Sequence, residues 1–146
     1  MLDLLLAIAH HILVFSLVAM LMAERVLLRG PRVDIHRLAQ VDVGYGTLAG
    51  LVFIVGVCRV NFGGKGWEFY DGNPFFWAKV ATFVLIGVAS ILPTMRYQAW
   101  GRAAKKDPDF HPEEADIRKV RAAVGISGLL LVPLLVFAAA MARWPG

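Results

Sequence analysis

The sequence has one cysteine, Cys58, so it holds no intramolecular disulfide framework. It has no CxxCH, HExxH or P-loop pattern and no nucleotide-binding glycine motif, which removes the usual soluble enzyme classes. There is no internal repeat and no low-complexity tract. Charge is sparse as well: charged residues fill 18% of 146 positions and are nearly missing from four long stretches.

Those stretches are apolar. Hydrophobic residues make up 58% of the chain and the mean hydropathy is +0.63, too high for a soluble 16.0 kDa domain with a largely polar surface. The runs Leu2 to Ala23, Leu38 to Val60, Pro74 to Thr94 and Ala122 to Ala142 each approach the ~20 residues that cross a hydrocarbon core. The expected fold is an all-α membrane protein, a four-transmembrane-helix up-and-down bundle, with 1–146 as one integral membrane domain. The first run does not read as a secretory signal. It carries Asp3 rather than a basic n-region and runs into Glu24-Arg25 without a small-x-small cleavage site.

The net charge of +4 and the pI near 9.6 have a topological explanation rather than a nucleic-acid one. Arg25, Arg29, Arg32 and Arg37 flank the first connection, and seven basic residues from Arg96 to Arg121 flank the third. The second connection holds Lys65, with Arg59 at its border. The positive-inside rule then places connections one and three in the cytoplasm and both termini outside, periplasmic if the membrane is a bacterial inner membrane. The lipid bilayer is the first expected partner, and a homo-oligomer or a larger membrane complex the next.

The second connection, NFGGKGWEFYDGN (61–73), has glycines for turns and Trp67, Phe69 and Tyr70 for the interface, and is expected to fold back on the membrane surface. In the third, Pro108 and Pro112 stop a helix running on from the third span, and Glu113, Glu114 and Asp116 complement the dipole of the fourth. His111 beside Asp107 and Asp109 reads as a solvated loop rather than a metal site. Pro93 is expected to kink or end the third helix.

Polar groups interrupt three of the runs, and ionisable side chains at membrane depth cost several kcal/mol, roughly 2.5–3.5 on insertion scales, unless they have a partner, a wet cavity or a cofactor. Asp42, Tyr45, Ala49, Val52, Gly56 and Arg59 repeat at 3-4-3-4-3 spacing and make one stripe that should face protein. Gly44, Gly46, Gly50 and Gly56 offer further close approaches. Lys79, Thr82 or Phe83, Ile86, Ser90 and Pro93 form a comparable stripe. His10, Leu17 and Glu24 share a face of the first helix, whereas His11 points about 100° away. The fourth span, with Gly125, Gly128 and Pro133, reads as structural.

Depth divides these residues into two groups. With the N-terminus outside, His10 lies roughly 12 Å and Lys79 roughly 8 Å below the outer boundary, with Arg59 at the rim, at 1.5 Å per residue. These three are the candidate cofactor-binding pocket. Glu24, Arg25, Asp42 and Tyr45 gather near the cytoplasmic boundary, where a carboxylate paired with Arg25 is a structural arrangement. Imidazole is a ligand for haem iron, copper or zinc, and Arg and Lys suit haem propionates or another carboxylate. His10 and His11 are adjacent on one helix, so they cannot take opposite axial positions of one haem; as a pair they are the candidate metal ligands.

The whole chain resembles a bacterial family of predicted membrane proteins of about 150 residues with no assigned function, most clearly in AERVLLRG (23–30), GGKGWEFY (63–70) and NPFFWAKV (73–80). More distantly, His10, Arg25 and Trp77-x-Lys79 look like elements of the haem-dependent membrane protoporphyrinogen IX oxidases and the copper-resistance D-type membrane domains. The resemblance to the oxidases implies haem binding by His10 and Lys79. The chain departs from them in having no second histidine in the third span, and in Glu24-Arg25 where an aromatic-Pro-Arg sequence is expected. Three functional readings result: a haem b protein, redox-active through His10; a non-enzymatic accessory subunit or small carrier; and a handler of copper or another metal.

Overall fold

The computed structural model describes residues 1–30 and 32–145. These form α1 (Leu2–Leu27), α2 (Ile35–Phe62), a short α3 (Gly66–Asp71), α4 (Pro74–Lys106) and α5 (Glu114–Ala142). All but α3 are long and apolar enough to cross a membrane. No strand occurs among the described residues.

The helix ends follow from local chemistry. Asp34 caps α2, its carboxylate accepting from the Arg37 amide at 3.0 Å. Asn73 caps α4 by accepting from the Phe75 amide at 3.0 Å, with Pro74 in the first helical turn. Glu114 and Asp116 lie in the first turn of α5, where their charge suits the dipole. Asp107 precedes Pro108 with extended backbone, and α4 stops there.

Each helix except α3 runs past the apolar run that announced it, because helix continues into the polar boundary where backbone bonding still favours it. The largest difference is in α4. Of the two expectations at Pro93, a kink or the end of the third helix, the end is not found: the helix continues through it to Lys106. Packing offsets the lost backbone bond: Pro93 is fully buried, and beyond it Tyr97 and Trp100 are 1% and 3% exposed, their ring centroids 5.8 Å apart. The second connection folds into α3 rather than an irregular turn, opening on Gly66 at φ 72°, a left-handed backbone that glycine adopts without strain.

The chain packs as two antiparallel hairpins. α1 lies along α2 and α4 along α5, and the hairpins meet mainly through α2 against α4 and more lightly through α1 against α5. The core runs through Leu17, Leu21, Leu38, Tyr45, Ile86, Tyr97, Val120 and Val124. Phe15, Phe53, Val84 and Leu129 point outward and are exposed, as a lipid-facing surface requires. At the end carrying the α1–α2 and α4–α5 connections, Arg121 donates to the Leu28 carbonyl at 2.7 Å and Arg96 pairs with Asp116 at 3.1 Å.

Two of the four glycines expected to permit close packing on α2 do so. The position a β-carbon would take at Gly44 lies 3.5 Å from the Met20 sulfur, and at Gly56 3.7 Å from Cε1 of His10. Gly46 and Gly50 have open space beside them, since both lie on the exposed face of α2. On α5, Gly125 is likewise open, whereas Gly128 carries the Arg25 guanidinium, 3.1 Å from where its β-carbon would be.

Candidate functional site

Three helices bring His10, Arg59 and Lys79 to the end of the bundle that also holds the termini and α3. His10 comes from α1, Arg59 from the last turn of α2 and Lys79 from the second turn of α4. All three are half-buried. Arg59 and Lys79 lie within electrostatic range of the His10 ring and of each other. Two of their polar atoms, His10 Nδ1 and Arg59 Nε, are buried and have no hydrogen-bond partner among the described residues. None of the ion pairs among the described residues includes any of the three. The outcome is a cationic cluster inside one end of the bundle, without a paired counter-charge among the described residues.

Beside it lies a cavity of about 90 Å³, lined by Arg59 together with Asp3, Lys65, Phe69, Tyr70, Met141 and Ala142. The α3 segment forms one wall. Lys65 donates to the Ala142 carbonyl at 3.5 Å and lies 4.1 Å from the centre of the Phe69 ring. Tyr70 packs on Phe76 with centroids 5.4 Å apart, Trp67 on Phe76 at 6.5 Å, and the Trp77 indole donates to the Asp71 carbonyl at 3.1 Å. The aromatics read as interface residues therefore also fasten α3 to the start of α4.

His11 takes no part in this arrangement. Its ring is on the exposed side of α1, and its Nδ1 donates to the Ala7 carbonyl at 2.6 Å. The His10 and His11 ring planes stand at 89° with centroids 6.4 Å apart. Among the described residues no grouping of three or more His, Cys, Asp or Glu could hold a metal ion, so the pair gains no third ligand of those types.

The second polar group sits toward the opposite end. Glu24 is 2% exposed with Oε1 unpartnered, and Asp42 is 8% exposed, its Oδ1 accepting from the Thr94 hydroxyl at 2.8 Å. The expected pairing with Arg25 is not found. That guanidinium lies over Gly128 of α5 instead, because Glu24 turns into the bundle while Arg25, one residue on, points along its flank. Tyr45 is buried alongside, as is Tyr97, whose hydroxyl has no partner. Thr94 and Tyr97 were not among the residues singled out from sequence. The signal was there: the stripe Ile86, Ser90, Pro93 continues at the same 4-3 spacing to Tyr97 and Trp100 once Pro93 is not taken as an end.

The family model described as a predicted membrane protein (DUF2214) matches residues 2–146. No curated protein and no solved structure matches the chain.

Proposed function

The chain belongs to this DUF2214 family of predicted membrane proteins, and from that premise we propose that it binds a carboxylate-bearing ligand at His10, Arg59 and Lys79 in a bacterial inner membrane. The observation that carries the reading is the cationic cluster itself. Two side-chain cations and an imidazole share one half-buried site, two of their nitrogens are buried without partners, and no acid is paired with them. An anion supplies both the missing charge and the missing acceptors.

Haem b is the member of that ligand class that would also use an imidazole nitrogen. Arg59 and Lys79 fit its propionates, and His10 offers one axial donor. Nδ1 of His10 is buried and its ring edge lies beside Gly56, so an axial bond to iron would fall to Nε2. His11, on the other side of α1, does not complete a bis-histidine site within one chain.

Comparing haem with iron-free protoporphyrin IX separates charge recognition from ligation. Both porphyrins are expected to bind the purified protein. Arg59→Gln and Lys79→Met should weaken both by about tenfold to a hundredfold, the worth of one charged hydrogen bond. His10→Ala should remove a Soret shift with haem while sparing protoporphyrin. Failure of both porphyrins to bind the wild type would sink the reading and put the accessory-module reading ahead.

The proposed orientation has both termini periplasmic, because the connections flanked by most of the basic residues share one end of the bundle. In a Cys58→Ser background, a thiol at Arg143 should label with a membrane-impermeant maleimide added to intact cells, and one at Lys105 only after lysis. The reverse pattern would overturn the assignment.

A further inference from the structure

The buried acids at the other end have a separate use. Glu24 and Asp42 lie within electrostatic range of each other, and Tyr45 and Tyr97 within range of both. The group is contributed by α1, α2 and α4 and lies roughly 20 Å from His10 along α1, at 1.5 Å per residue. Two carboxyls enclosed in a membrane bundle call for compensating positive charge. No described basic residue supplies it as an ion pair: Arg96 pairs with Asp116, Arg121 with Glu114 and Arg37 with Asp34. Arg25 lies against Gly128.

The unpartnered atoms indicate what fills the gap. Tyr97 is 1% exposed and Glu24 2%, yet the Tyr97 hydroxyl and Glu24 Oε1 bond neither to each other nor to any other protein group. Protonating Glu24 would cancel its charge but would bring no partner to the Tyr97 hydroxyl. A cation does both at once, because oxygens around a hard ion, ~2.3–2.6 Å from it in the case of calcium, stand about 3.4 Å or more apart and do not bond to one another. Two acids with a neutral hydroxyl, and among the described residues no third acid or histidine to form a larger ligand group, match a monovalent ion better than a divalent one.

We propose that Glu24, Asp42, Thr94 and Tyr97 form a buried binding site for a dehydrated monovalent cation of sodium size. Glu24 and Asp42 supply charge, Tyr97 supplies a neutral oxygen, and Thr94 positions the Asp42 carboxylate by its 2.8 Å hydrogen bond. This site is independent of the anion reading, since it shares no residue with it.

The test is thermal unfolding of the full-length protein in detergent, at one pH and ionic strength, in sodium, potassium or choline chloride. Sodium is expected to raise Tm saturably above the choline value. Glu24→Gln and Asp42→Asn should abolish the increment, and Tyr97→Phe should raise the half-saturating sodium concentration by roughly tenfold. Should the carboxyl variants fail to fold, direct binding of radioactive sodium to wild type and Tyr97→Phe, which loses only a hydroxyl, decides the matter: equal binding counts against the site. Equal melting of the wild type in all three salts would show that the acids simply carry protons. A response to calcium alone, or a sodium increment that survives Glu24→Gln, would equally overturn the assignment.

Discussion

Asn73→Ala is expected to destabilise the protein by about 1.5–5 kcal/mol, combining a lost helix cap at ~0.5–2 with buried groups left unpaired at ~1–3. Asn73 is fully buried and uses both ends of its amide. Its oxygen accepts from the Phe75 amide at 3.0 Å, and its nitrogen donates to the Met141 carbonyl at 3.2 Å, tying the start of α4 to the end of α5. Asn73→Asp separates the two roles, since it keeps the cap acceptor but turns a carboxylate oxygen toward a carbonyl. Both variants should unfold at lower denaturant, followed by circular dichroism in mixed micelles. A change within about 0.5 kcal/mol for alanine, as at an ordinary surface position, would show that the link does not hold this end together.

Asn73 also shows where sequence reading stops. The four spans were legible because a bilayer demands long apolar runs, and the inward stripe on α2 was legible because helical geometry places Asp42, Tyr45 and Val52 on one face; these are 8%, 4% and 6% exposed. The choice between adjacent histidines was legible on the same ground, with His11 exposed and His10 half-buried. Contacts between distant segments carry no such periodicity. Nothing in a loop asparagine announces a bond to Met141, and nothing in Arg25 announces that it will lie on Gly128 rather than reach Glu24. Pro93 does not end the helix, because its local cost is fixed while the packing of Tyr97 and Trp100 that offsets it is tertiary. Of the candidate site, the gathering of His10, Arg59 and Lys79 toward one end of the bundle followed from counting residues along helices. That their nitrogens would lack partners depends on which acids come near, and only the packed helices settle that.

Gly63→Ala is expected to damage stability and ligand binding together, through one carbonyl. Gly63 ends α2 in extended backbone, and its amide donates to the Arg59 carbonyl at 2.9 Å. A β-carbon there would overlap that same carbonyl oxygen and would lie 3.1 Å from a carboxylate oxygen of Asp3. A backbone group cannot swing aside as a flexible side chain does, so the last turn of α2 must shift, at a cost of about 1–3 kcal/mol typical of overpacking. Arg59 is carried on that turn. Its guanidinium would move with the backbone, so porphyrin affinity should fall in Gly63→Ala as it does in Arg59→Gln, although no charge has been removed. Gly64→Ala is the control, because nothing lies within 4 Å of its added β-carbon, and it should leave both quantities unchanged. If Gly63→Ala lowers the unfolding midpoint but binds porphyrin as wild type does, the end of α2 is a structural joint only, and the ligand is not held by Arg59.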